Sequence, residues 1–138
     1  MAVATNSDIE RIAEVTQRRG FTIAVSESLT CGSLSAALGK GGNAAEWFAG
    51  GVVAYLSRVK FDLLNVEEGP VITERCARQM AEGVRQLLHA DAALAVTGVG
   101  GPDPEEDKPP GTVFIATSIH GLVVINRRTF EGPPKHRD

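Results

Sequence analysis

Several features are scarce in this sequence, and each scarcity excludes a class of protein. Basic residues number 14 against 17 acidic ones, a formal charge of −3, with no basic stripe anywhere. Nothing in that balance gives nucleic acid or an anionic membrane an electrostatic reason to bind. No apolar run approaches the length needed to span a bilayer, and the N-terminus has no signal-peptide core. There are only two cysteines, Cys31 and Cys76, and they fall in no metal-ligand spacing. Without an export signal they read as reduced thiols, not as a disulfide. These absences point to a cytoplasmic chain. The remaining composition, 138 residues with 43% hydrophobic and 22% charged, suits one ordinary globular domain with a single real core.

Read in order, the chain alternates helical and strand-like patterns. Ser7 and Glu10 form a capping box with Ser7 as N-cap. Ile9, Ile12, Ala13 and Thr16 follow at helical spacing, and Gly20 ends the helix. Residues 21–25 form a short strand and residues 30–38 a second helix, broken by the turn 39–43. Residues 47–55 read as a buried strand in which Gly50 and Gly51 permit a bulge. A short helix starts at Ser57 and ends near Leu64. Thr73 caps the clearest helix, whose apolar stripe is Cys76, Ala77, Met80, Ala81, Val84, Leu87 and Leu88. Residues 92–96 form a strand, and 103–111 must be loop. Residues 112–118 and 122–130 pair through the tight turn at His120 and Gly121 as an antiparallel hairpin. The fold class is therefore α/β: a three-layer α/β/α sandwich around a mixed sheet.

Chemistry gathers where strands end. In residues 22–32 a strand hands over to a helix through hydroxyls, one carboxylate and a thiol. The first N–H groups of such a helix are unpaired, and with the helix dipole they favour an anion. Ser28 near that end is placed as a nucleophile. Equally, Ser26, Ser28 or Thr30 would serve as a plain helix cap. Tyr55 with Lys60, and Thr97 with its glycines, also close strands. Open α/β sheets bind ligands beyond strand C-termini, so the three clusters could share one crevice. Ser57 and Lys60 match a Ser-x-x-Lys string, but the partner motifs of that enzyme class are missing. Gly98 and Gly100 begin a dinucleotide fingerprint that fails at Asp103. The acidic run 103–107 reads as a solvated loop in preference to metal ligands. Cys31 is a rival nucleophile with no nearby histidine as base.

Ser26-Glu27-Ser28-Leu29-Thr30-Cys31-Gly32 resembles the Ala-Glu-Ser-Cys-Thr-Gly-Gly motif of the CinA C-terminal domain family, which includes nicotinamide mononucleotide amidohydrolases. The similarity continues through residues 50–55, Lys60, residues 69–74 and 80–83, then 97–102 and 108–113. It covers nearly the whole chain. The resemblance implies an α/β/α domain that hydrolyses the carboxamide of nicotinamide mononucleotide to nicotinate mononucleotide and ammonia, with no metal or organic cofactor. In that picture Ser28 is the nucleophile, Lys60 takes its proton with help from Tyr55, and backbone N–H groups after Ser28 hold the oxyanion. Such a lysine must have a lowered pKa. Glu27, Thr30, Gly32, Thr97 and Gly98 are implied as substrate-binding positions, and Arg137 as a phosphate ligand. The implied partners are a small-molecule nucleotide and further copies of the chain in a homo-oligomer.

This sequence departs from the family pattern in three places. Leu29 and Cys31 stand where the motif has Cys and Gly, so Cys31 either narrows the oxyanion pocket or occupies a backbone shape better suited to glycine. Gly100 stands for the usual Ala. Residues 130–137 resemble the stretch that leads into the family's last helix, and the single domain 1–138 is expected to lack that helix. Two other readings follow: a nucleotide-binding regulatory module without catalysis, and a thiol enzyme using Cys31.

Overall fold

In the computed structural model, which describes residues 5–130, the first helix α1 (Asn6–Arg19) starts earlier than the Ser7 box predicts. Thr5 is its N-cap. The Thr5 Oγ1 accepts from the N–H of Asp8 at 3.1 Å, and the N–H of Thr5 donates to the Asp8 carboxylate at 3.0 Å. An earlier Thr-x-x-Asp thus outcompetes the Ser-x-x-Glu, because Asp8 closes the box while acidic charge sits at the helix's positive end. Such a cap contributes about 1 kcal/mol. Gly20 ends α1 in the left-handed conformation, as expected.

The strands are β1 (Ile23–Glu27), β2 (Phe48–Val53), β3 (Ala92–Gly98), β4 (Thr112–Ile119) and β5 (Leu122–Thr129). They form one mixed sheet in the order β2-β1-β3-β4-β5. β1 runs parallel to both β2 and β3, while β3-β4 and β4-β5 are antiparallel. The register of β1 on β2 slips after Ile23, with Gly50 at φ 141°, which is the bulge the paired glycines permit. Between β1 and β2 lie α2 (Ser33–Gly39) and α3 (Ala44–Trp47); between β2 and β3 lie α4 (Ser57–Leu64) and α5 (Glu74–Leu87). The first crossover leads to one side of β1 and the second to the other. Right-handed crossovers in opposite directions put their helices on opposite faces, so the three layers follow from topology.

Alternation along the strands shows the two faces directly. Ile23, Val25, Ala92, Val96 and Val113 pack with Ile9, Ala13, Leu34, Leu38 and Trp47 of α1–α3. Ala24, Ala93, Ala95, Phe114 and Ala116 pack with Leu64 and the stripe Cys76, Ala77, Met80, Ala81 and Val84. Leu87 leaves the expected stripe and is exposed. Trp47 begins no strand; it closes the short α3 and donates from Nε1 to the Gly42 carbonyl at 2.8 Å. The hairpin turn has His120 at φ 50° and Gly121 at φ 89°, both left-handed as a two-residue turn requires. On the α1 face a groove of about 600 Å³ runs between α1 and strands β3 and β4, and Leu122 beyond it is 79% exposed. Among the described residues no helix is long and apolar enough to cross a membrane.

Candidate active site

The three parallel strands end together at Glu27, Val53 and Gly98. β1 lies between β2 and β3, so the crossover out of β1 runs to one side and the crossover out of β2 runs back past β1 to the other, which opens a crevice at the carboxyl ends of these strands. A pocket of about 90 Å³ occupies that crevice, lined among others by Ser28, Tyr55, Ser57, Lys60, Thr97 and Glu105. The three polar clusters expected at strand ends therefore meet in one place. Gly98 lines it too, and glycine is needed there for a steric reason: a Cβ would collide with the Thr112 carbonyl of β4. Arg137 lies outside the described residues.

Strand parity separates the two acidic and hydroxyl residues of the motif. Glu27 follows Val25 onto the α2 face, whereas Ser28 stands on the face of Ala24, with α4 and α5. Glu27 is fully buried. Its Oε1 accepts from the Thr30 hydroxyl at 2.6 Å and the N–H groups of Gly32 and Leu34 at 3.1 and 3.0 Å. Its Oε2 accepts from the N–H of Ser35 at 2.6 Å. Burial alone would raise its pKa, but the hydrogen bonds from Ser35, Thr30 and Leu34 hold it below the ordinary value. The positive end of α2 is thus filled by the chain's own carboxylate. Glu27, Thr30 and Gly32, expected at a substrate, line no part of the pocket and instead hold the motif loop in shape. That is also why α2 begins at Ser33 and not Thr30: residues 28–32 fold back around the carboxylate. Cys31 takes φ 53° in this loop and is exposed, so it occupies a left-handed position where the family motif has glycine.

Lys60 is the strangest residue in the core. It is 1% exposed, on the first turn of α4. Its Nζ donates to the carbonyls of Ala54 at 2.8 Å and Tyr55 at 3.2 Å. Among the described residues no carboxylate forms an ion pair with it. Burial lowers its pKa, against weaker opposing effects from Cys76, Glu105 and Glu106. The neighbouring Cys76 thiol offers no compensating charge near neutrality, because burial pushes it up to about 11. An unpaired buried ammonium is costly, and the fold leans toward the neutral amine. Tyr55 lines the pocket with a side chain that is 64% exposed, and touches Lys60 through its carbonyl.

On the far wall, Thr97 is buried and its hydroxyl donates to the Val71 carbonyl at 2.8 Å, which ties the segment before α5 to β3. The acidic run is no merely solvated loop. Glu106 accepts from the N–H groups of Val71 and Ile72 at 2.8 and 2.9 Å, and both residues line the pocket. Glu105 stands beside them, its backbone clamped to Lys108 by a pair of hydrogen bonds at 3.1 and 2.8 Å. Glu105 and Glu106 were missed in the sequence, since their partners are far along the chain and only the tertiary fold brings them in. Among the described residues no group of three or more metal-ligating side chains is assembled.

The arrangement is suited to acyl chemistry. Ser28 is 7% exposed at the pocket wall. Among the described residues no protein acceptor takes the N–H of Leu29 or of Thr30, although the Cys31 N–H is used by the Ser28 carbonyl. Leu29 lines the pocket beside Ser28, so its unengaged amide is the donor available there to a developing oxyanion.

A family model described as the CinA C-terminal domain matches residues 6–137. A protein named competence-damage inducible in Bacillus velezensis is 36% identical over 129 residues, which is 90% of this chain and 31% of the relative. A similarly named protein of Bacillus cytotoxicus is 40% identical over 111 residues, 77% of this chain and 27% of the relative. The chain thus spans less than a third of the length of these curated relatives. A crystal structure of a CinA superfamily protein from Klebsiella pneumoniae superposes with a TM-score of 0.89 at 32% identity, covering 94% of this chain and 84% of that one. The crystal structure of a competence/damage inducible protein from Agrobacterium tumefaciens gives 0.85 at 27% identity, covering 95% and 86%. The mixed five-stranded sheet and its flanking helices are those of this family, and the chain belongs to the CinA C-terminal domain family.

Proposed function

We propose that this pocket hydrolyses the carboxamide of nicotinamide mononucleotide to nicotinate mononucleotide and ammonia. One observation carries the reading. A neutral lysine amine has two hydrogens and one lone pair, and the carbonyls of Ala54 and Tyr55 take the two hydrogens. The remaining tetrahedral direction then holds the lone pair, at an amine that lines the pocket together with Ser28. Burial, which removes the ammonium's hydration, lowers the pKa of this lysine and so favours the amine that can act as base.

In this reading Ser28 Oγ attacks the amide carbon while Lys60 takes its proton. The N–H of Leu29, a residue that lines the pocket beside Ser28, stabilises the oxyanion. Collapse breaks the C–N bond, Lys60 returns the proton to the leaving nitrogen, and ammonia departs from a Ser28 ester. A water molecule, deprotonated by Lys60, then hydrolyses the ester and releases the carboxylate product. Tyr55 contributes its carbonyl to the amine and its ring to the pocket mouth.

The test is ammonia release from nicotinamide mononucleotide by this chain, by Ser28→Ala and by Lys60→Met. Each substitution should cost roughly a thousandfold or more in kcat, because the two act as one unit. Turnover that survives Ser28→Ala sinks the nucleophile assignment and turns attention to Ser57. A second reading, a binding module without catalysis, is favoured by the engagement of Nζ with carbonyls and not with Ser28. Mononucleotide binding by calorimetry with no turnover would support it.

A further inference from the structure

The lining of the pocket contains two ionisable groups of opposite kind, Lys60 and Glu105, besides the phenol of Tyr55. Lys60 is driven toward the neutral amine by burial. Glu105 is exposed at the rim. Its place is fixed by two independent ties: its backbone pairs with Lys108, and the next residue, Glu106, accepts from the N–H groups of Val71 and Ile72 in the adjoining wall. Its carboxylate lies close enough to Lys60 to act on the charged amine electrostatically. Both backbone walls beside it, Val71-Ile72 and Gly98, are uncharged. When Lys60 is in the form that serves as base, Glu105 is the charged side chain that lines the pocket among the described residues.

We propose that Glu105 is a specificity-determining residue, a counter-ion that selects substrates with a positively charged ring beside the scissile amide. The inference rests on the amidohydrolase reading and adds to it the charge class of the substrate. A pyridinium ring carries a full positive charge. A carboxylate at the rim attracts it over neutral rings of the same shape. The same carboxylate opposes the product. Hydrolysis converts a neutral carboxamide into an anion, and two carboxylates held in one small site repel. Glu105 thus favours entry of the cationic amide and exit of the acid.

The experiment compares Glu105→Gln with the unmodified chain on nicotinamide mononucleotide and on its dihydro form, whose ring is neutral while amide, ribose and phosphate are kept. The two amides differ in intrinsic reactivity, so the quantity read is the ratio of variant to unmodified kcat/KM for each. The expected result is a loss of roughly tenfold for the cationic substrate, mostly in KM, and little change for the dihydro form. Equal losses on both substrates, or none on either, overturn the proposal. Calorimetry of both nucleotides on Ser28→Ala, with and without Glu105→Gln, reads the same preference without chemistry. If the unmodified chain turns over neither substrate, the amidohydrolase reading fails. The charge preference then stands or falls on whether Glu105→Gln weakens binding of the cationic ring alone.

Discussion

Replacing Glu27 by Gln should destabilise the protein well before it affects any contact with substrate. The carboxylate takes four donors at 2.6–3.1 Å: the Thr30 hydroxyl and the N–H groups of Gly32, Leu34 and Ser35. The glutamine amide keeps one acceptor oxygen. Its nitrogen would face either the Ser35 N–H or the three donors at Oε1, so at least one buried N–H loses its partner, at about 1–3 kcal/mol. The bonds that remain become neutral, and charge-assisted bonds are roughly twice as strong as neutral ones. Against this, the variant no longer desolvates a charge. The net expectation is a loss of about 2–4 kcal/mol, or roughly 10 °C in Tm for a chain of this size.

The pH dependence makes the argument sharper. The folded pKa of Glu27 lies below 4.5, its ordinary value. A depressed carboxylate contributes stability that is fully present above the unfolded pKa and is lost as pH falls through the folded one. The gap between the unmodified chain and Glu27→Gln should therefore be constant at neutral pH and close as the solution is acidified below 4.5. Urea unfolding followed by circular dichroism at several pH values measures it. A loss smaller than about 0.5 kcal/mol, or a gap that ignores pH, would refute the role of Glu27 as the anchor of the motif loop. A changed KM in a variant of unchanged stability would instead return Glu27 to the substrate.

Two further outcomes are expected. Lys60 has its folded pKa below the ordinary 10.5, so between those values the unfolded chain binds the extra proton and stability rises with pH, by at most about 1.4 kcal/mol per unit. Lys60→Met should lack that slope in denaturant titrations. With Cys76, Glu105 and Glu106 as the groups acting on the amine, ammonia release should climb with pH on a one-proton limb that lies below 10.5. Cys31→Gly should leave activity intact and hold or raise stability by up to about 1 kcal/mol, since the residue sits at φ 53°. Iodoacetamide should modify the exposed Cys31 without abolishing turnover; inactivation that Cys31→Gly prevents would restore the thiol reading.

What could be read from the sequence was local. Gly20, Thr73 with its stripe, and the His120–Gly121 turn act on neighbours within a few residues, and the elements they delimit stand where expected. The α4 start that places Lys60 was equally local, and the meeting of Ser28, Lys60 and Thr97 followed from strand ends in a partly parallel sheet. What depended on face or on distant contacts was not legible. Glu106 binds amides 35 and 34 residues away, and nothing in the acidic run marks it apart from its neighbours. Thr97 spends its hydroxyl on Val71, which no pattern near Thr97 announces.

Glu27 is the instructive case, because the signal was present. Along β1 the apolar residues Ile23 and Val25 mark one face, and Glu27 continues that series toward the helix that follows. A helix N-terminus attracts an anion whatever its source, and an acidic residue on the same face, one step before the turn, is the nearest source available. Local reasoning predicted that an anion would bind there and left open whose it was. Once the chain supplies its own, the oxyanion of the proposed reaction would have to be met elsewhere, by the amide of Leu29 in the pocket wall. The position of that amide depends in turn on the loop that Glu27 holds. Among the described residues that line the pocket, the carboxylate is that of Glu105. The anion-binding motif thus serves the fold, through Glu27, and the charge that the pocket offers a substrate has to come from other residues.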